Sequence, residues 1–146
     1  MDKISDNLYK TFVYDDRYKY ILEGLGNTLI IAFFAVIIGV ILGIIVSLVR
    51  NNYEVNGKGK ISNFIANSYV TIIRGTPVIL QLMIIYYVIF KSSDVNILIV
   101  GILAFGINSG AYVSEIIRSG INAIDKGQLE AGLALGLSYA KVMRLV

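Results

Sequence analysis

Residues 24–49, GLGNTLIIAFFAVIIGVILGIIVSLV, run from Glu23 to Arg50 without one charged side chain. That exceeds the ~20 residues that carry a helix across a hydrocarbon core. The run lies too far into the chain, and is too long, for the apolar region of a signal peptide. The preceding MDKISDNLYKTFVYDDRYKYILE also mixes both charge signs, where a signal begins basic. A retained transmembrane helix over 25–49 follows.

Two further apolar runs repeat the pattern. One begins after Lys60 and reaches Phe90, broken only by Arg74, and predicts a span over about 62–90. The uncharged part after Arg74 is short for a full crossing, so the helix must extend back across Arg74 or tilt. The other runs from Val95 to Ser114 and predicts a third span over about 95–114. The whole chain is 56% hydrophobic and only 16% charged, against about a quarter charged in soluble domains. The fold class is therefore all-α, a polytopic helical membrane protein with three spans.

Cysteine and histidine are both absent, which excludes disulfide frameworks, thiol nucleophiles, histidine bases and the common zinc sites. No enzymatic chemistry is expected in this chain. The net charge of +3 sits in short clusters between apolar runs, not along one face, which argues against a nucleic-acid footprint. Such clusters set orientation instead. Arg50, Lys58 and Lys60 lie in the first loop, and Arg118, Lys126, Lys141 and Arg144 follow the third span, whereas the link 91–94 carries Lys91 alone. This places an N-terminal segment, 1–23, outside and residues 115–146 in the cytoplasm. Lys3, Lys10, Arg17 and Lys19 pull the other way.

Inside the spans, Gly39-x-x-x-Gly43 and Gly106-x-x-x-Gly110 each put two glycines on one helix face, where close backbone approach gains dispersion contacts. Glycine is also simply frequent in membrane helices. Asn108, Tyr112 and Glu115 share a stripe of the third span. Asn108 either bonds a neighbouring helix or faces a watery path, and Tyr112 reads as an interface residue. Glu115 and Arg118 are spaced for a local ion pair worth under about 1 kcal/mol. The stretch IIRGTPVILQ holds the only proline, and two arrangements fit it. A helix restarts with Thr76 as N-cap and Pro77 in its first turn, after a break at Gly75. Otherwise the helix continues, and Pro77 kinks it by removing the bond to the Ile73 carbonyl. Either defect needs protein or water to satisfy it at membrane depth, and Arg74 can snorkel toward the surface.

Beyond Arg118, Asp125 with Gln128 forms a capping-box pattern opening a helix over roughly 126–135. Gly136 suits the left-handed residue after it, and Ser138 suits the cap of a second helix near Tyr139. A short helix-turn-helix results, shaped for docking or lying as an interfacial amphipathic helix.

Glu130-Ala131-Gly132, three residues, Gly136, and nine more to Val146 resembles the EAA loop of ABC importer permeases. That pattern reads Glu-Ala-Ala, three residues, Gly, nine residues, Ile-x-Leu-Pro. GNTL entering the first span, RGTPVILQL, and NSGAYVSEIIRSGINAIDKGQLEAG look like the polar amino-acid branch of these permeases, in order over residues 20–146. Gly132 replaces the second alanine, and Asp125 stands where members often have proline. Members typically have five spans, so the resemblance implies an incomplete permease domain over 24–146, an N-terminal fragment or truncated frame.

The resemblance further implies a subunit of a binding-protein-dependent importer of polar amino acids in a bacterial cell membrane. Its implied partners are ATPase subunits, a second permease subunit, an external solute-binding protein and membrane lipid. Residues 125–146 would be the coupling loop, with Glu130, Ala131, Gly132, Leu133 and Gly136 shaping the ATPase contact. Arg74, Gly75, Thr76 and Pro77 would form a break or pivot, and Gln81 and Asn108 would line the path. No GxxxxGK[ST] occurs, so ATP and magnesium would belong to the partner and the chain needs no cofactor of its own. Two competing readings are a secondary-transporter fragment and a small membrane adaptor. The first is weakened by the lack of internal repeats.

Overall fold

The computed structural model describes residues 9–91 and 94–145, together with Lys3 and Asn7. Val146, the last residue of the expected coupling loop, lies outside the described residues. After a π turn at Tyr9–Val13 and a 3-10 turn at Tyr14–Asp16 comes helix α1, Arg17–Asn56, of 40 residues. The helix therefore takes in the end of the expected 1–23 segment and continues past Val49. At ~1.5 Å per residue it is about 60 Å long, twice a ~30 Å hydrocarbon core, so at least one end must project from the bilayer. Gly57 stops it in the left-handed region (φ 65°), its N–H bonding the Tyr53 carbonyl at 2.9 Å.

Next come α2 (Lys60–Gly75) and α3 (Val78–Ile84), the latter closed by a π turn at Ile85–Ile89. Within the expected 62–90 span the helix is broken, one of the two arrangements the sequence allows, and the pair is bent by 110° at Thr76–Pro77. Helix does extend back across Arg74, but not in a straight line. Then α4 (Ile97–Asn122) begins where the Asn96 side chain accepts a bond from the Leu98 N–H at 2.9 Å. Two short helices follow, α5 (Lys126–Ala134) and α6 (Tyr139–Leu145). No strand occurs among the described residues. α1 and α4 are each long and apolar enough to cross a membrane, and the bent pair makes a third crossing if counted as one.

The centre of the molecule is the seam between α1 and α4. Ala35, Gly39, Gly43 and Ser47, spaced by four, are the buried stripe of α1. A Cβ built on Gly39 would stand 2.6 Å from Ser109 Oγ and 3.3 Å from the Gly110 nitrogen, and one on Gly43 2.5 Å from Val113 and 3.0 Å from the Ser114 nitrogen. From the other side, a Cβ on Gly106 would meet Ile38 at 2.8 Å, and one on Gly110 would meet Leu42 at 2.9 Å and the Tyr69 hydroxyl at 2.8 Å. Both glycine pairs thus serve packing, and against each other. The partners ascend together along both helices, so α1 and α4 run parallel. A parallel pair requires the chain to return between them, which only α2 and α3 can do. Most other large side chains of α1, among them Leu29, Phe33, Val36, Ile41 and Leu48, are exposed, as expected of a surface that lipid solvates.

Candidate functional site

The break comes first, because its chemistry is the most constrained. α2 ends at Gly75, Thr76 is extended (φ −120°, ψ 146°), and Pro77 (φ −62°, ψ 134°) precedes the first residue of α3. The restart is therefore one residue later than expected, and Pro77 stands at the cap position itself. Thr76 does not cap the new helix. Its hydroxyl donates back to the Ile72 carbonyl at 2.8 Å. The continuous, kinked alternative is excluded.

Gln81, one turn into α3, folds back over this gap and is buried. Its Nε2 donates to the Ile73 carbonyl at 2.7 Å, to the Thr76 carbonyl at 3.1 Å and to Thr76 Oγ1 at 2.8 Å. Its Oε1 accepts from Asn108 Nδ2 at 3.1 Å. The two residues expected to line a path are thus brought together across α3 and α4. Asn108 also borders a groove between α1 and α4 with Thr28, Ala32, Ser109 and Tyr112.

Arg74 lies at the end of α2, 42% exposed, its guanidinium 5.4 Å from the centre of the Tyr112 ring and its Nη1 3.8 Å from Glu115 Oε2. Glu115 makes far more than a local pair with Arg118. Arg50 of α1 donates to its Oε2 at 2.7 Å, and Arg118 donates to its Oε1 from Nη2 at 2.6 Å and Nε at 3.0 Å. Arg118 also lies 3.8 Å from Glu54 of α1. One carboxylate, 19% exposed, therefore binds arginines from three helices, and Arg50 is only 11% exposed. Charge-assisted bonds of this kind are about twice as strong as neutral ones. The earlier figure for an exposed local pair does not describe this cluster. Arg50 and Glu54 were missed because sequence shows them only as loop charges, yet both sit one turn apart on the helix whose glycines pack against α4.

The terminal hairpin forms as its caps dictate. Asp125 Oδ1 accepts from the Gly127 N–H at 2.6 Å, while no return bond from the Gln128 side chain is present among the described residues. Asp125 therefore caps the helix through its second residue, and the reciprocal capping box is not formed among the described residues. Gly136 is left-handed (φ 78°), with its N–H bonded to the Leu133 carbonyl at 2.9 Å and that of Leu137 to the Gly132 carbonyl at 3.2 Å. That pair of bonds is the Schellman arrangement. Ser138 supplies its carbonyl to Lys141 and Val142 at 2.8 and 3.0 Å. Gly132 is where the hairpin closes: a Cβ there would stand 2.6 Å from buried Val142. An alanine here would require Val142 to shift. Glu130, Ala131, Leu133 and Gly136 are exposed, and Leu135 at the turn is 81% exposed.

Among the described residues no group of three potential metal ligands gathers. The arrangement consists of a glycine-locked parallel pair, a broken helix held by side-chain bonds, a charge cluster joining three helices, and a hairpin closed by its caps. These are the parts of a helical membrane protein, and comparison with known proteins supplies its family. The chain belongs to the family of binding-protein-dependent transport system inner membrane components, which matches residues 35–146. It is 47% identical over 132 residues to the arginine transport system permease protein ArtQ of Bacillus subtilis (strain 168), covering 86% of this chain and 56% of that protein. It is 35% identical over 129 residues to the glutamine transport system permease protein GlnP of Escherichia coli (strain K12), covering 86% and 57%. A solved structure described as an amino acid ABC transporter with histidines superposes with a TM-score of 0.73 at 36% identity, covering 88% of this chain and 60% of that one. The chain thus spans little more than half the length of these relatives.

Proposed function

We propose that this chain is the membrane-spanning part of a permease subunit in an ABC importer for polar amino acids, and that α5 and α6 couple it to a separate ATPase. The names of the arginine and glutamine permeases support the substrate class. The partners are two ATPase subunits, which hold ATP and magnesium, a second permease subunit and an external solute-binding protein. The N-terminus lies outside and residues 115–146 lie in the cytoplasm, as the basic loops favour.

The observation that carries the coupling reading is the bonded, closely packed turn of the hairpin. A lever transmits motion only if its two ends move together, since an element that deforms freely biases neither state. Here the turn is held by Asp125, by the bonds through Gly136 and by the close contact of Gly132 with Val142. It presents Glu130, Ala131, Leu133 and Leu135 on the outside. ATP-driven closure of the ATPase would push on this surface, and α4, continuous from the hairpin's edge into the bilayer, would carry the push to α1 through the glycine seam. Gly75–Pro77 would then be the pivot.

The test is copurification of the ATPase with the full-length permease. Glu130→Lys and Gly136→Leu should each recover less ATPase than wild type, while Gly136→Asn, which tolerates the left-handed backbone, should recover more than Gly136→Leu. Equal recovery from all four would remove the coupling reading.

A further inference from the structure

A proline has no N–H, so the carbonyl four residues before it loses its helical donor. Here the proline is Pro77 and the orphaned acceptor is Ile73. The acceptor sits beside buried Gln81, and a buried carbonyl left unsatisfied is expensive. Thr76 relieves the neighbouring Ile72 carbonyl with its own hydroxyl. The Ile73 carbonyl is met by Gln81 Nε2 at 2.7 Å, and the same nitrogen reaches the carbonyl and the hydroxyl of Thr76. Gln81 is 8% exposed.

We propose that Gln81 is the positioning residue of the bent pair: its amide replaces the backbone donor that Pro77 lacks, and through Asn108 it pins the 110° angle to α4. Only an amide fits this role. Its NH2 has two donors for the acceptors at the break, while its oxygen still accepts from Asn108. Glutamate, ionised, would offer acceptors to acceptors, and leucine would offer nothing. The consequence is that side-chain bonds set the angle between α2 and α3, and these exchange without unwinding either helix. A movement of the pivot has to trade the Gln81 bonds for others, so Gln81 sets how much of the bent state is populated. This deepens the transport reading given above, and it assigns Gln81 a part in the pivot where lining the path would give it contact with solute.

The experiment uses the complete permease–ATPase complex. The chain has no cysteine, so once the partner chains are made cysteine-free, Ile65→Cys and Val88→Cys, both exposed, carry a spin-label pair on α2 and on the π turn that closes α3. Wild type should give one narrow distance without nucleotide. Gln81→Leu and Gln81→Glu should broaden it and add a longer, straighter population. Asn108→Leu, which removes the tether but leaves the donors, should change it less. Pro77→Ala restores a backbone donor to Ile73, so Pro77→Ala/Gln81→Leu should regain a narrow distribution at the longer distance. Uptake by Gln81→Leu should fall about tenfold, the factor that one orphaned buried carbonyl implies, through turnover and not KM. A narrow bent distribution retained in Gln81→Leu would overturn the proposal. So would a changed KM or substrate preference with the distance unchanged, which would make Gln81 a pathway contact. If the distances behave as expected but wild type moves no amino acid, the positioning role stands and the transport reading falls.

Discussion

Glu115 offers a prediction whose size follows from the distances around it. Arg50 meets it at 2.7 Å, with side chains 11% and 19% exposed, whereas Arg74 lies 3.8 Å away and is 42% exposed. Opposite charges with centres near ~4 Å attract by about 4 kcal/mol at an effective dielectric of ~20, before desolvation is counted. Removing one partner of a buried pair costs about 3–5 kcal/mol, because the other charge stays behind. Arg50→Gln and Glu115→Gln should therefore each destabilise the solubilised permease by about 3 kcal/mol, near the low end since both groups retain some water. Arg74→Gln, on an exposed and longer contact, should cost under about 1 kcal/mol. Arg118→Gln should fall between, because Arg118 also serves Glu54. In a double-mutant cycle, Arg50→Gln/Glu115→Gln should cost well under the sum of its singles, by about 2 kcal/mol. Unfolding of the full-length permease in mixed detergent measures all of these. Equal costs for Arg50→Gln and Arg74→Gln, or strictly additive singles, would refute the reasoning.

Other positions give smaller experiments. Gly43→Leu should separate α1 from α4, since even its Cβ would stand 2.5 Å from Val113; about 1–3 kcal/mol of stability should be lost, together with any crosslink engineered between positions 31 and 101. Gly132→Ala should loosen the hairpin and raise amide exchange over 126–134, and Val142→Ala in the same chain should restore protection by clearing the atoms that its Cβ meets at 2.6 Å. Asp125→Ala should cost about 1 kcal/mol of local stability, read as faster exchange at Gly127, whereas Gln128→Ala, whose return bond is absent among the described residues, should change exchange there little.

How much of this was legible in sequence depends on how far apart the interacting residues lie. Asp125 and Gly136 act on backbone within a few residues, so their roles were readable from local chemistry, whereas Ser138 contributes its carbonyl to the second helix. The glycine pairs were readable as packing faces because small residues in an apolar run have few other uses, though nothing said that they face each other on a parallel pair. The bend was only half readable. Thr76-Pro77 signals an interruption, but a threonine there can close the helix behind it as well as open the one ahead, and the structure chooses the former. Glu115 looked like a minor local pair because its strongest cross-helix partner, Arg50, is 65 positions away. Gln81 stands in the RGTPVILQL stretch and reads there as lining the path, since its task at the break exists only once the broken ends leave acceptors for it to reach. Gly132 reads only as a replacement of the family's alanine, because Val142 comes against it only when the hairpin closes.

The central claim is that the exposed turn of the α5–α6 hairpin meets an ATP-hydrolysing partner on the cytoplasmic side. Single substitutions Glu130→Cys, Leu133→Cys and Leu135→Cys in the complete complex, probed with a short thiol crosslinker in the presence and absence of nucleotide, test it most directly. The account predicts crosslinks to the ATPase from these positions, with yields that change on ATP binding, and no labelling of them by an impermeant thiol reagent added to intact cells. Failure to trap the ATPase from any of the three, or their labelling from outside, would contradict it.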